Sequence, residues 1–312
     1  MGTELELKLM IQPAYIESAS NVLNEICEQS ESCSIEPDLQ LMNGYFDTPD
    51  GLLMQSGVTL RVRAINQGYI QTLKTRGSNR AGISSRGEWE WDVKNGMLDL
   101  SLLENTMLPS NLHDKWWSND LLEVFRTDFT RKVFMITYND TLMEVVIDQG
   151  AVSSPYGSEP IHELEIELKS GEEEGLYAFA NKLAIQLPVQ ISTVSKAAKG
   201  ARLKHNKIIF PKSPTSIASD FELSIYWYEM WLAYWEAMCF LDDTVLLVPI
   251  CDAIERLADY LPSDLSEPLT PLIRELNLIH HHSKQDSPLC LTELLSVGQA
   301  MIKIGHWLNC QQ

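Results

Sequence analysis

Cysteine is sparse in this chain and shows no framework spacing. Cys27, Cys33, Cys239, Cys251, Cys290 and Cys310 include no Cys-x-x-Cys pair and no dense cluster, so they read as six reduced thiols. No Gly-x-x-x-x-Gly-Lys loop occurs; a bound phosphate would therefore be held by strand side chains rather than by a helix N-terminus. No Ser-His-Asp or Cys-His set is recognisable by spacing. Long apolar runs are missing as well. The most apolar stretch, Leu223 to Leu241, is interrupted by Glu229 and Glu236 and does not read as a membrane span. The N-terminus enters a strand directly, so no signal peptide is expected, and Glu6 stands where a myristoylation pattern needs Ser or Thr. Positive charge is scarce: 24 Lys and Arg face 43 Asp and Glu, a formal charge of −19. That balance argues against nucleic acid as a partner. The expectation is a cytoplasmic protein with neither nucleic acid nor membrane as partner. An anionic substrate still fits if the few basic residues gather in one cavity.

What the chain does have is charge at alternate positions. Glu4, Glu6 and Lys8 alternate with Leu5, Leu7 and Leu9, and side chains of a strand point to opposite faces with a period of two. Arg61 and Arg63 flank Val62, and Lys74 and Arg76 flank Thr75. Arg86, Glu88 and Glu90 alternate with Gly87, Trp89 and Trp91. Glu144 and Asp148 share one parity, and Glu163, Glu165 and Glu167 alternate with Leu164, Ile166 and Leu168. Any one such segment reads as a half-solvated antiparallel strand. The set reads differently, because Glu pairs and Arg pairs recur where solvent faces usually mix in Ser, Thr and Gln. It fits a closed antiparallel barrel with charge turned inward and helices over the apolar faces. Carboxylates at ~4 Å repel by roughly 4 kcal/mol at an effective dielectric near 20. Divalent cations between them make the arrangement tolerable, and guanidinium forks suit phosphate oxygens.

These segments carry a family resemblance. Glu4-Leu-Glu6-Leu-Lys8 resembles the ExExK signature of the CYTH superfamily, the triphosphate tunnel metalloenzymes. Tyr45-Phe-Asp-Thr-Pro-Asp-Gly-Leu-Leu53, Leu60-Arg-Val-Arg63, Thr72-Leu-Lys74 and Arg86-Gly-Glu-Trp-Glu90 follow in the family's order. So do Phe129-Thr-Arg131, Asp148-Gln-Gly150, Glu163-Leu-Glu165 and Ser195-Lys196. Phe129 departs from the pattern, standing where many members place a second basic residue. The resemblance implies an α+β fold: a closed antiparallel eight-stranded β-barrel with covering helices, plus a small C-terminal all-α bundle. It also implies metal-dependent hydrolysis of inorganic triphosphate to pyrophosphate and phosphate. Lys8, Arg61, Arg63, Lys74, Arg131 and Lys196, with Arg76 and Arg86, would grip the substrate. Glu4, Glu6, Glu163 and Glu165 would hold one or two Mg2+ or Mn2+ ions. Glu88 and Glu90 would add a metal ligand or fix the arginines, and Asp148 would position water. Glu4, Glu6, Lys8, Asp148 and Lys196 are the expected catalytic set, and Glu167 is read as structural. A thiamine or nucleoside triphosphatase, or a non-catalytic polyphosphate-binding module, stays open as an alternative.

Charge also divides the chain. Residues 1–212 hold 20 basic and 29 acidic residues, and residues 213–312 hold 4 and 14. The expected organisation is a tunnel domain over 1–205, a Pro/Ser linker over 206–218 and a helical bundle over 219–312. Helices are expected over Pro13–Gln29 and from about Gly171 to Leu187, then near 219–241, 244–261, 265–281 and 290–309. The order resembles bacterial CYTH–CHAD inorganic triphosphatases, with a shortened second part. Only Arg256, Arg274, Lys284 and Lys303 are basic there, so long-chain polyphosphate is not an expected ligand of the bundle. Trp227, Trp231 and Trp235 form a helical stripe that reads as core, packed on the tunnel domain or a second copy in a homodimer. His280-His281-His282 lacks the i, i+4 spacing of helical metal ligands, and His162 has the wrong parity for the lumen. Every candidate site residue falls within 1–205, so residues 1–212 alone are expected to retain catalysis.

Overall fold

The computed structural model describes residues 2–30, 32–65, 68–80, 82–205, 208–214, 217–282 and 288–311. Among the described residues nine strands form one antiparallel sheet: β1 (Gly2–Ile11), β2 (Cys33–Asp47), β3 (Val58–Ile65), β4 (Gly68–Arg80), β5 (Ile83–Val93), β6 (Leu122–Tyr138), β7 (Thr141–Ser154), β8 (Gly157–Ser170) and β9 (Val189–Ile191). Their order is β5-β4-β3-β2-β6-β7-β8-β1-β9, and β5 also pairs with β1. The expected closed ring of eight is thus corrected to a nine-stranded sheet with an edge at β9. The cause is a change of neighbour along β1. Its residues 2–7 pair with β5, whereas Leu9, Met10 and Ile11 pair with Ile191, Gln190 and Val189 of β9.

Register follows from the alternation. Lys8 lies opposite Glu165, Arg131 opposite Asp148, Asp148 opposite Glu163 and Lys74 opposite Glu88. A one-residue slip would turn each of these charges into the apolar core, so burial of the other face fixes the pairing. That other face carries Leu7, Leu9, Val145, Ile147, Leu164 and Ile166. It packs under α1 (Ile16–Glu28) and α3 (Glu174–Ala184) through Ala19, Leu23, Leu176, Phe179 and Leu183. Burying one such leucine is worth ~1.5–3 kcal/mol. A second core lies over β3 and β4, where Leu60 and Leu73 meet Leu103, Leu112 and Trp117. At the turn into α2 (Leu52–Gln55), the Asp47 carboxylate accepts from the Leu53 amide at 2.8 Å and the Met54 amide at 3.0 Å. The reading of six reduced cysteines is corrected at one pair: Cys27 and Cys33 are disulfide-bonded between α1 and β2, with Cα atoms 5.0 Å apart.

Beyond α4 (Lys196–His205) the elements among the described residues are helices, among them α5 (Asp220–Leu241), α6 (Leu247–Ala258), α7 (Ser263–Ser266), α8 (Leu269–His282), α9 (Leu289–Thr292) and α10 (Leu295–Cys310). α5 starts where the helical period placed it, and Ser219 and Glu222 form a capping box there. Trp231 and Trp235 are fully buried, as the core reading of the stripe expects, whereas Trp227 is half-buried under the Arg256 guanidinium. These helices share one apolar core with the sheet and α3. The Tyr228 hydroxyl donates to the Met301 carbonyl at 2.9 Å, tying α5 to α10. Gln190 of β9 donates to the Thr292 carbonyl at 2.9 Å, and Gln299 donates to the Ala184 carbonyl at 3.1 Å. No helix among the described residues is long and apolar enough to cross a membrane.

Candidate functional site

Residues from each of β1 to β8, together with Ser195, Lys196 and Ala197, line one cavity of about 280 Å3. Lys8, Arg61, Arg63, Lys74, Arg131 and Lys196 all face it, as do Glu6, Glu88, Glu90 and Glu165. Asp148 and Glu163 are buried and reach the same cluster through Lys196. Glu4, Arg76 and Arg86 lie on β1, β4 and β5, and their side chains fall outside the described residues. His162 does not line the cavity.

The charges sort into two groups. On one side, the Lys196 ammonium lies 2.6 Å from Asp148 and 2.9 Å from Glu165 and also pairs with Glu163. Lys8 pairs with Glu165, with Glu163 at 3.6 Å and with Glu6 at 3.9 Å. Arg131 grips both oxygens of Asp148, at 2.8 and 2.7 Å, and reaches Glu165 at 2.8 Å. Burial alone would raise the Glu163 pKa; Lys196, Lys8 and Lys199 together hold it down at about 2. Glu165 is also burdened by burial, yet Lys196, Lys8 and Arg131 keep it well below the ordinary carboxylate range.

The other side is dominated by cations. Arg61 donates to the Thr72 hydroxyl at 2.9 Å and lies 3.6 Å from Glu90; Lys74 lies 3.1 Å from Glu88. Glu88 and Glu90 therefore stand against these cations. The buried Nε of Arg61 has no hydrogen-bond partner among the described residues. Arg63 donates to the Asn43 side chain at 2.8 Å. Burial, with Arg61 and Arg131 nearby, lowers its pKa to about 9. Tyr45 shares this wall. Burial pushes its phenol up, but Arg61, Arg63 and Lys196 outweigh that and lower it.

Several lining residues were not assigned from the sequence. Tyr45, Thr72, Glu144, Glu167 and Lys169 all face the cavity, and the parity of neighbouring charges was the signal that marked them. Phe129, the departure from the family pattern, faces two of the cavity's cations. The Lys196 ammonium sits 4.9 Å and the Arg131 guanidinium 5.7 Å from its ring centroid, within cation–π range.

Asp148, Glu163 and Glu165 each bring one oxygen to within 4.8 Å of the others. An all-oxygen donor set fits a hard divalent cation, so these residues suit the metal that the alternation implied. The protein's own cations engage every oxygen of this trio, and the Lys196 ammonium pairs with all three carboxylates, so a metal held here would compete with it.

Residues 3–201 match the CYTH domain family. The chain is similar to the inorganic triphosphatase of Haemophilus influenzae, with 31% identity over 209 residues, 64% of this chain and 54% of the relative. It spans about half the length of that curated relative. Among solved structures, it is similar to a Hippeastrum protein described as a candidate adenylyl cyclase with dominant triphosphatase activity. That match has 20% identity, covers 66% of this chain and 97% of the other, and has a TM-score of 0.47. A candidate adenylate cyclase of Bacillus halodurans matches at 22% identity, over 59% of this chain and 91% of the other, with a TM-score of 0.36.

Proposed function

The chain belongs to the CYTH family, and from that premise we propose that it hydrolyses inorganic triphosphate to pyrophosphate and phosphate in its charged cavity. One observation carries the reading: a wall of cations, with an arginine Nε that has no partner among the described residues, faces a trio of buried carboxylates. Phosphoryl transfer depends on positioning and on neutralising spread charge. Arg61, Arg63 and Lys74 bind the phosphate oxygens distal to the carboxylates, and guanidinium forks fix their orientation. Lys8, Arg131 and Lys196 stand between substrate and carboxylates and neutralise charge at the phosphorus under attack. Glu163 and Glu165, with Asp148 or Glu6, would hold Mg2+ or Mn2+. When bound, such an ion acidifies water and polarises a phosphoryl oxygen. Thr72 and Asn43 orient Arg61 and Arg63.

Residues 1–205 serve in this reading as the site-bearing unit and residues 219–312 as a helical appendage, in a cytoplasmic enzyme. The test is phosphate release from triphosphate, ATP, thiamine triphosphate and pyrophosphate, each with Mg2+, Mn2+ or chelator. Triphosphate is expected to be turned over fastest, and only with metal. Equal turnover in excess EDTA would rule out the metal mechanism, and preference for ATP or thiamine triphosphate would move the substrate assignment to an organic triphosphate.

A further inference from the structure

The helix that supplies Lys196 is held from outside the CYTH region. Along α4, Lys196, Lys199 and Arg202 recur every three residues, and all three are buried. They face a row of carboxylates on β8. Lys196 meets Glu163 and Glu165. Lys199 lies 3.7 Å from both Glu163 and Glu159. Arg202 grips both oxygens of Glu159, one of them at 2.8 Å from Nε. Residues three apart are neighbours on a helix face, while Glu159, Glu163 and Glu165 share one face of the strand. The two rows therefore run side by side as a buried ladder of charge.

The far end of this ladder is Glu236 of α5, buried at 3% exposure. One of its oxygens lies 3.6 Å from Arg202, and the other accepts from the Ser192 hydroxyl. Ser192 precedes Lys196 and Arg202 follows it, so a single carboxylate brackets the segment carrying Lys196. Phe240, one turn along α5, adds a ring 4.1 Å from the Arg202 guanidinium. α4 has no slack at Gly200 either, because a Cβ there would collide with the Phe125 ring. Removing Glu236 leaves Ser192 without its acceptor and Arg202 with Glu159 as its one remaining ion-pair partner among the described residues.

We infer that Glu236, on the C-terminal helices, is a positioning residue that clamps α4 and so fixes the Lys196 ammonium against the cavity's carboxylates. This rests on the triphosphatase reading above. It makes the helical part a component of the site and revises the expectation that residues 1–212 suffice for catalysis. Glu236→Gln keeps the shape and an acceptor for Ser192 but loses the charge on Arg202; Glu236→Ala loses both.

Two measurements on the full chain test it. In the first, kcat and KM for triphosphate are compared for wild type, both Glu236 variants, Lys196→Ala and the double variant Glu236→Ala/Lys196→Ala. The expected result is a kcat loss of roughly tenfold for Glu236→Gln and more for Glu236→Ala. KM should move less, and adding Glu236→Ala to Lys196→Ala should cause no further loss. Tyr228→Phe, which loosens α5 from α10 without touching α4, is the control and should keep wild-type kcat. Additive losses, or a kcat for both Glu236 variants equal to wild type, would overturn the inference. The second measurement needs no turnover: hydrogen exchange of amides 199–203 should quicken at least tenfold in Glu236→Ala, with α3 unchanged. Unaltered exchange in α4 overturns the clamp even if the protein proves inactive on triphosphate, an outcome that would count against the triphosphatase reading separately.

Discussion

Arg63 shows how the cavity trades stability for binding. Its neighbours Arg61 and Arg131 are both cations, and its hydrogen-bond acceptor is the neutral Asn43 side chain. A polyanion would supply the charge that the fold withholds. Arg63→Ala is therefore expected to leave the melting temperature of the ligand-free protein equal or higher while weakening triphosphate binding. A charge-assisted hydrogen bond is worth about 1.5–3 kcal/mol, so the loss of affinity should be roughly 10- to 100-fold. Calorimetric titration with thermal unfolding on the same samples checks both signs, and a lower melting temperature with unchanged affinity would contradict the assignment. Glu165 has the opposite character. It touches Lys8, Arg131 and Lys196 at once, so Glu165→Gln should cut metal-dependent turnover by roughly 100-fold or more. Acid should act through the same cluster. The Glu163 pKa falls from 4.5 to about 2 on folding, so its stabilising share is fully present above about pH 4.5. That share is lost as pH falls toward 2. Melting temperatures from pH 6 to 2.5 should show a decline that Glu163→Gln reduces.

At the scale of elements, what the sequence disclosed was periodic. The alternation through Glu4 to Leu9, Leu60 to Arg63 and Glu163 to Leu168 gave strands, faces and the inward charge, because burial of one face enforces a period of two. Glu144, Glu167 and Lys169 obeyed the same parity and line the cavity, but Glu167 lies a step beyond the Glu pair of the motif, and parity alone does not say how far along a strand the cavity reaches. β9 was illegible, since Val189, Gln190 and Ile191 are too few to show a period, and with it went the strand count. The ladder along α4 was also hidden, because its partners Glu159 and Glu236 lie 43 and 34 residues from Arg202. Another element boundary left a mark only in three dimensions. At Gly298, α10 meets β9 so closely that a Cβ would collide with the Val189 carbonyl oxygen. Gly298→Ala should therefore push α10 off the edge strand and destabilise the protein by about 1–3 kcal/mol or more, despite alanine's better helix propensity. Chemical denaturation measures it; a gain in stability would mean that α10 does not approach β9 this closely.

The whole molecule does not divide energetically where its composition divides. Charge falls into two regimes at about residue 212, which is why the sequence suggests separable units joined by a linker. Apolar burial ignores that line. Leu176, Phe179 and Leu183 of α3 belong to the same core as Trp231, Trp235, Met301 and Leu308 of α5 and α10. Val189 and Ile191 of β9, the edge of the sheet, belong to it as well. Cutting the chain after Lys212 would uncover that edge strand and an apolar face beside it, the two features that most promote association. Residues 1–212 expressed alone are therefore expected to aggregate or to bind a hydrophobic dye, with a melting temperature well below that of the full chain. Size-exclusion chromatography, dye fluorescence and thermal unfolding decide it together. A monomeric, dye-negative fragment melting with the full chain would show that α5 and α10 contribute no stability to the sheet, and the shared core would then be an incidental contact rather than what holds β9 in place.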